Sequence, residues 1–92
     1  MAVKVMIPAP LRQFTGGQSS VDVQATTVGD ALAALDQHFP GLRDRLVEPD
    51  GRLRRFVSVF VNGKDVRTLQ GLETPLQEGD EVGIVPAMAG GR

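Results

Sequence analysis

The stretch Phe56-Val57-Ser58-Val59-Phe60-Val61-Asn62-Gly63 is the strongest structural signal in the sequence. Its first six residues are almost all β-branched or aromatic, a composition that favours a β-strand. The Asn-Gly pair that follows favours a tight type I′ turn, because both central residues of that turn need positive φ angles. The stretch therefore predicts a strand and a hairpin, with Asp65-Val66-Arg67 as the short return strand.

Apolar and polar residues also alternate in three other segments, residues 2–7, 20–25 and 81–86. A period of two is typical of a strand that buries one face. Pro8 and Pro10 end the first segment, and the first two segments are close enough to pair as an antiparallel hairpin with a long loop.

A helix is predicted to begin at Thr27, whose hydroxyl can cap the free N–H groups of the first turn. Asp30 suits the positive end of the helix dipole, and Pro40-Gly41 ends the helix. Leu42 to Leu46 predicts one further helical turn, and residues 69–76 form a connector. One apolar stripe at steps of three and four residues comprises Val28, Leu32, Leu35 and Phe39.

The order β-β-α-β-β-β predicts an α+β domain, with a mixed sheet of four to five strands and one main helix on one face. This arrangement lets the sheet and the helix each bury their apolar side. The first and last strands are expected to lie side by side in the middle of the sheet and to run parallel.

Composition excludes several classes of function. The chain has 92 residues and a net charge of -1, so it allows one domain and lacks the basic excess of a nucleic-acid-binding protein. There is no cysteine, which excludes disulfides, thiolate catalysis and cysteine metal sites. Residues 1–5 resemble neither a signal peptide nor a membrane span, so we expect a cytoplasmic protein with no membrane partner.

Other polar residues fit structural roles better than chemical ones. The cluster Arg52, Arg54 and Arg55 is expected to be a solvated loop. His38 has no evident partner for catalysis or metal binding, so we expect a surface or capping role and no metal site. Asp30, Asp36 and Asp44 are expected to be solvated.

Three motifs resemble the MoaD/ThiS-type sulfur carriers, a family with the ubiquitin-like β-grasp fold. They are residues 61–66 (Val-Asn-Gly-Lys-Asp-Val), residues 79–82 (Gly-Asp-Glu-Val) and Gly90-Gly91. Within that family the resemblance is greatest to the carrier of a cysteine-synthesis pathway, through residues 14–18, 55–57 and 84–91. The resemblance implies a β-grasp domain over residues 1–87 and a flexible tail over residues 88–92.

The family resemblance also implies the chemistry. An E1-like adenylating enzyme would use ATP and magnesium to activate the carboxylate of Gly91, next to Gly90. A sulfur donor would then displace AMP and leave a thiocarboxylate, which delivers sulfur to an acceptor on another enzyme. The chain itself would be a carrier that binds no cofactor, and not an enzyme.

Arg92 departs from the family pattern, because Gly91 cannot be activated while a peptide bond joins it to Arg92. Two explanations stay open. A peptidase removes Arg92, as a zinc metallopeptidase of the JAMM type does for similar members of the family, or Arg92 is foreign to the natural protein.

The outer face of the sheet is the expected docking patch for the adenylating enzyme and later acceptors. If Val57, Val59 and Val61 point inward, their neighbours point outward, and exposed apolar side chains favour a binding role. The alternative is that residues 8–17 or 46–55 fold over this face. The predicted patch comprises Met6, Phe56, Phe60, Val85 and Pro86, continued by Ala87, Met88 and Ala89.

Three rival functions stay open at this point. The chain could be the small subunit of molybdopterin synthase, a ubiquitin-like modifier joined to lysines through Gly91, or a β-grasp module that binds without covalent chemistry. The sequence does not name the pathway, since cysteine, molybdopterin, thiamine and tRNA thiolation are all served by this family.

Overall fold

The computed structural model describes residues 1–86. Five strands and one α-helix form the framework, joined by 3₁₀ turns at Ala9–Phe14, Arg43–Arg45, Val66–Thr68 and Gly71–Glu73. The framework consists of β1 (Ala2–Met6), β2 (Ser20–Gln24), α1 (Val28–His38), β3 (Val57–Val61), β4 (Lys64–Asp65) and β5 (Glu81–Pro86).

The sheet has the strand order β2-β1-β5-β3-β4. β1 and β5 run parallel, while the β1–β2, β3–β5 and β3–β4 pairs are antiparallel. The mixed five-stranded sheet with one main helix confirms the predicted fold class, and the first and last strands are neighbours as expected. The last strand is hydrogen-bonded on both sides, so it lies inside the sheet.

The core lies between α1 and one face of the sheet. Val28, Leu32 and Leu35 of the helical stripe are fully buried, and Phe39 packs against them at the helix end. The sheet contributes the inward-facing residues Val3, Val5, Val21, Val23, Val57, Val59, Val61, Val82 and Ile84, all of which are buried. The two periodicities in the sequence therefore identify the same core.

Side-chain oxygens hold both ends of α1. The hydroxyl of Thr27 accepts a hydrogen bond from the backbone N–H of Asp30 at 3.1 Å, as the capping prediction requires. At the other end, Asp36 Oδ1 accepts from the N–H groups of Gly41 and Arg43, at 3.0 and 3.2 Å. Asp36 is thus part of the turn after the helix and not a freely solvated residue, whereas His38 is exposed.

Two of the sequence motifs turn out to be one hydrogen-bonded unit. Asn62 and Gly63 both have positive φ, 49° and 88°, which fits the predicted type I′ turn. The Asn62 side chain accepts from the N–H of Glu81 and donates to Asp80 Oδ1, each at 3.0 Å. The turn after β3 is therefore fixed to the turn before β5.

The local boundaries differ from the predictions in a few places. The return strand is Lys64–Asp65, and Val66 to Thr68 form a 3₁₀ turn. The physical reason is that the Asp65 carboxylate accepts from the backbone N–H of Arg67 at 2.8 Å, which bends the chain out of the ladder. Phe56 lies one residue before β3.

Two of the three arginines in the loop, Arg52 and Arg55, are solvated as expected. Arg52 is exposed and pairs with Asp50 at 3.2 Å, and Arg55 is also exposed. The backbone N–H of Arg52 donates to Asp50, which lowers the pKa of that carboxyl. Arg54 instead folds back and donates to the carbonyl oxygen of Asp44 through two nitrogens, at 3.0 and 2.8 Å.

Substitutions at Asn62 test the link between the two turns. Asn62→Gly keeps the positive φ but removes both side-chain hydrogen bonds, so we expect it to lower the free energy of unfolding by about 1–2 kcal/mol. Asn62→Ala loses the same hydrogen bonds but keeps a Cβ at positive φ, which glycine lacks, so it should lose about 1 kcal/mol more than Asn62→Gly. Urea unfolding measures both, and equal losses in the two variants would contradict the strain argument.

Candidate functional site

The outer face of the sheet carries apolar side chains that the core does not use. Met6 and Val85 are 41% and 51% exposed, while Phe60 is half-buried. They come from β1, β5 and β3, which are neighbours in the sheet. These three side chains, from three adjacent strands, form the centre of the predicted patch.

Gly83 is the floor of this centre. In the strand register Gly83 lies opposite Met6 on one side and opposite Phe60 on the other. A Cβ built on Gly83 would meet nothing within 4 Å, so the space above the strand is open. The result is a groove of about 270 Å³ lined by Met6, Phe60, Asn62, Gly63, Glu81, Gly83 and Val85.

The groove combines an apolar floor and walls with a polar end. Met6, Phe60 and Val85 supply the apolar surface, while Asn62 and the exposed carboxylate of Glu81 lie at the end where β5 begins. An apolar side chain of a partner can lose its hydration here, and the polar rim can orient it. This is the composition of a protein-docking centre.

Two residues of the predicted patch lie outside the groove. Phe56 is 51% exposed but does not line it, and Pro86 is half-buried opposite Val57 at the end of β5. Phe56 therefore extends the patch toward the end of β5. Pro86 lies opposite the inward-facing Val57 and so on the core side of the sheet, which makes its predicted place in the outer patch wrong. Ala87, Met88, Ala89, Gly90 and Gly91 lie outside the described residues, and their predicted roles stay predictions.

The alternative of a covering loop does not hold within residues 1–86. Leu11 and Phe14 of the first loop pack against the core, and the Arg45 guanidinium lies 3.9 Å from the centre of the Phe14 ring. Neither this loop nor residues 46–55 removes Met6 or Val85 from solvent. No segment between residues 1 and 86 therefore covers these two side chains of the patch.

Gly83 is the residue that sequence reasoning missed. A glycine inside a strong strand is a signal for a close approach of another backbone or side chain. In the alternating segment 81–86, Gly83 occupies one of the positions that do not face the core. The cross-strand partners Met6 and Phe60, which make the glycine a floor, become evident only from the register.

Other kinds of site lack support in the part of the chain that the structure describes. Over residues 1–86, no group of three or more histidine, cysteine, aspartate or glutamate residues is arranged to hold a metal ion. In the same range, no helix has both the length and the apolar character that a membrane span requires.

A family model for the ThiS family matches residues 5–91, which is nearly the whole chain. The chain belongs to the ThiS family. The match includes the two linked turns, β5 and the Gly90-Gly91 pair, which are the segments on which the resemblance depended.

Named relatives of this ThiS-family chain agree with the assignment. It is 45% identical to the sulfur carrier protein CysO of Mycobacterium tuberculosis over 99% of this chain and 100% of that protein. It is 39% identical to small archaeal modifier protein 3 of Haloferax volcanii, over 99% and 100%. The structure matches that of the Amycolatopsis orientalis BexX/CysO complex with a TM-score of 0.91 and 41% identity, covering 96% of this chain and 98% of that one.

The predicted family and the ubiquitin-like β-grasp fold are therefore confirmed. The predicted sulfur-carrier role is also confirmed, because a relative named as a sulfur carrier protein aligns with this chain over nearly its whole length.

A side chain placed at Gly83 tests whether the groove on the outer face is empty space. Gly83 does not have a positive φ and has room for a side chain, so we expect Gly83→Val to keep the fold. Because glycine weakens a strand, the free energy of unfolding should be unchanged or higher by up to about 1 kcal/mol.

The matched control is Val82→Thr, which buries a hydroxyl on the opposite face of the same strand. Val82 is fully buried, so this variant should lose about 1–3 kcal/mol. Urea unfolding of both variants provides the comparison. A loss in Gly83→Val as large as that in Val82→Thr would show that the groove is not open.

Proposed function

We propose that this chain carries sulfur as a thiocarboxylate on Gly91, and that it acts as a substrate of partner enzymes and not as a catalyst. The observation that carries the proposal is the ThiS-family match, which extends through Gly91. The chain has no cysteine, so the sulfur cannot travel on a thiol side chain. A terminal carboxyl group at Gly91 offers a position where a covalent acyl–sulfur bond can form.

The proposed chemistry has two steps. A carboxylate oxygen of Gly91 attacks the α-phosphorus of ATP, which releases pyrophosphate and leaves an acyl-adenylate. Hydrosulfide from a sulfur donor then attacks the acyl carbon, AMP leaves with the electron pair of the broken C–O bond, and loss of the sulfur-bound proton leaves the thiocarboxylate. An E1-like partner supplies ATP, magnesium and the catalytic groups, and this chain supplies the carboxyl group.

Glycine suits the reacting end for steric reasons. A segment that must enter a narrow catalytic channel cannot carry side chains that obstruct it, and glycine adopts extended and positive-φ conformations at low cost. Ordering each residue of such a segment costs on the order of 1–2 kcal/mol, so the partner interface has to offset that cost.

The outer-face groove is the proposed source of that interface energy. It lies on β5, the strand that leads to residue 86, so a partner that holds the groove also holds the start of the segment that follows. A relative in a crystallised BexX/CysO complex supports a role that depends on protein partners. The relative named CysO supports cysteine biosynthesis as the pathway.

Activation further requires a free carboxyl group at Gly91. The Gly91–Arg92 peptide bond must therefore be hydrolysed first, and we propose that a zinc peptidase of the JAMM type does this. Water adds to the carbonyl carbon of Gly91, and the amine of Arg92 leaves.

The first test compares a form ending at Gly91 with the form ending at Arg92, using the cognate adenylating enzyme. The Gly91 form should exchange labelled pyrophosphate into ATP, while the Arg92 form should not, because its acyl carbon is already an amide. Intact mass of the protein from its own cell should show loss of Arg92 and exchange of one oxygen for sulfur. Adenylation of the intact Arg92 form at another carboxyl group would contradict the proposal.

The second test separates the docking patch from the tail. Phe60→Asp places a charge in the groove and should abolish activation of the Gly91 form while leaving the fold intact. Leu69→Asp is the matched control, because it introduces the same charge at an apolar surface residue, 43% exposed, that does not line the groove. Activation that survives Phe60→Asp would disprove the docking role and leave the chemistry of Gly91 untouched.

A ubiquitin-like modifier is the second candidate function. The relative named small archaeal modifier protein 3 favours it, at 39% identity over nearly the whole chain. In this case a lysine amine, and not hydrosulfide, attacks the activated Gly91 carbon, AMP leaves, and the amine loses a proton to give an isopeptide bond. Denaturing gels of tagged protein distinguish the two functions, because only a modifier leaves a ladder of covalent conjugates.

A further inference from the structure

The β2 edge of the sheet has an open row of backbone hydrogen-bonding groups. Ser20 to Gln24 pair with β1 residue by residue, without a bulge, and the segment contains no proline or lysine. Natural sheets usually protect a free edge with such features. The opposite edge is protected, since β4 has only two residues and begins with Lys64.

The register identifies which groups point outward. The N–H of Ile7 donates to Ser19, and the N–H of Ala25 donates to Met1, so the odd-numbered residues 19–25 bond to β1. The backbone N–H and C=O groups of Ser20, Asp22 and Gln24 therefore point away from β1, toward the free edge of the sheet. None of these groups has a hydrogen-bond partner among residues 1–86.

A groove runs beside this edge on the helix side. Its volume is about 400 Å³, and it lies between the end of β2 and the flank of α1. Ala33 and Ala34 form the helix wall, so the small side chains leave space for another strand's side chains. The groove is lined by Met1, Gln24, Ala25, Thr26, Asp30, Ala33, Ala34 and Gln37.

The charges at this edge are negative. Asp22 lies at its centre and Asp30 lines the groove, where its carboxylate also accepts a hydrogen bond from Thr26 at 2.7 Å. No lysine or arginine lines the groove. Lys4 lies opposite Asp22 on β1, yet the two form no ion pair within residues 1–86.

We propose that the β2 edge binds an extended segment of a partner protein as an added strand, with basic side chains opposite Asp22. Backbone hydrogen bonds to Ser20, Asp22 and Gln24 would supply the affinity, and the groove would receive alternate side chains. A second copy of this chain fits less well, because symmetric pairing centred on β2 places Asp22 opposite Asp22, and like charges opposite each other are destabilising. This surface is separate from the outer-face groove and does not depend on the proposed function.

The test uses the full chain and an acetylated, amidated heptapeptide of alternating lysine and valine. Its lysines can share the face of Asp22 while its valines enter the groove. In ¹⁵N-resolved NMR, millimolar peptide should shift the amide signals of Ser20, Asp22 and Gln24 and slow their exchange with solvent. A peptide N-methylated at alternate residues cannot form the strand bonds and should not do so.

Charge reversal supplies the matched comparison. Asp22→Lys should weaken peptide binding by up to about tenfold, the change expected when a cross-strand attraction becomes a repulsion. Glu73→Lys makes the same charge change at an exposed residue away from the edge and should have no effect.

Three results would overturn the proposal. One is the absence of shifts in β2 with the unmodified peptide, and another is equal binding by the N-methylated peptide. The third is sedimentation of the free chain as a dimer whose contact protects the β2 amides, since the occupant would then be a second copy.

Discussion

The position of β5 between β1 and β3 is the constraint on which the rest of the structure depends. Its parallel ladder to β1 and antiparallel ladder to β3 fix the strand on both sides. Val82 and Ile84 complete the core on one face, and Gly83 and Val85 form the groove on the other. The same strand thus contributes both to the core that stabilises the domain and to the groove on its outer face.

The two hydrogen bonds of the Asn62 side chain explain why the motifs at residues 61–66 and 79–82 belong together. Asp80 uses one carboxylate oxygen for Asn62 and the other for the N–H of Gln77, while its carbonyl accepts from Lys4. A single turn therefore connects β1, β3 and β5 at the end where β5 begins. A slip of one residue would exchange the two faces of β5 and place Gly83 in the core.

Most of the fold was predictable because its periodicities are strong. The strand at Val57–Val61, the capped helix and the Asn62-Gly63 turn each carry a local signal that the structure reproduces. The end of β4 was not predictable, because the Asp65 carboxylate competes with the ladder for a backbone donor. The groove was only partly predictable, because alternation identifies the outward residues but not which of them are neighbours across strands.

The two surfaces place different demands on a partner. The groove is apolar and lies over the middle of the sheet, whereas the β2 edge offers polar backbone groups and negative charge. β2 lies two strands from β5, and strands are about 4.8 Å apart, so the edge is roughly 10 Å from the strand that carries Gly83. A partner strand added at the edge extends the sheet sideways and leaves the space above the groove open. On the proposed use of the two surfaces, one partner can remain bound at the edge while the groove changes occupants.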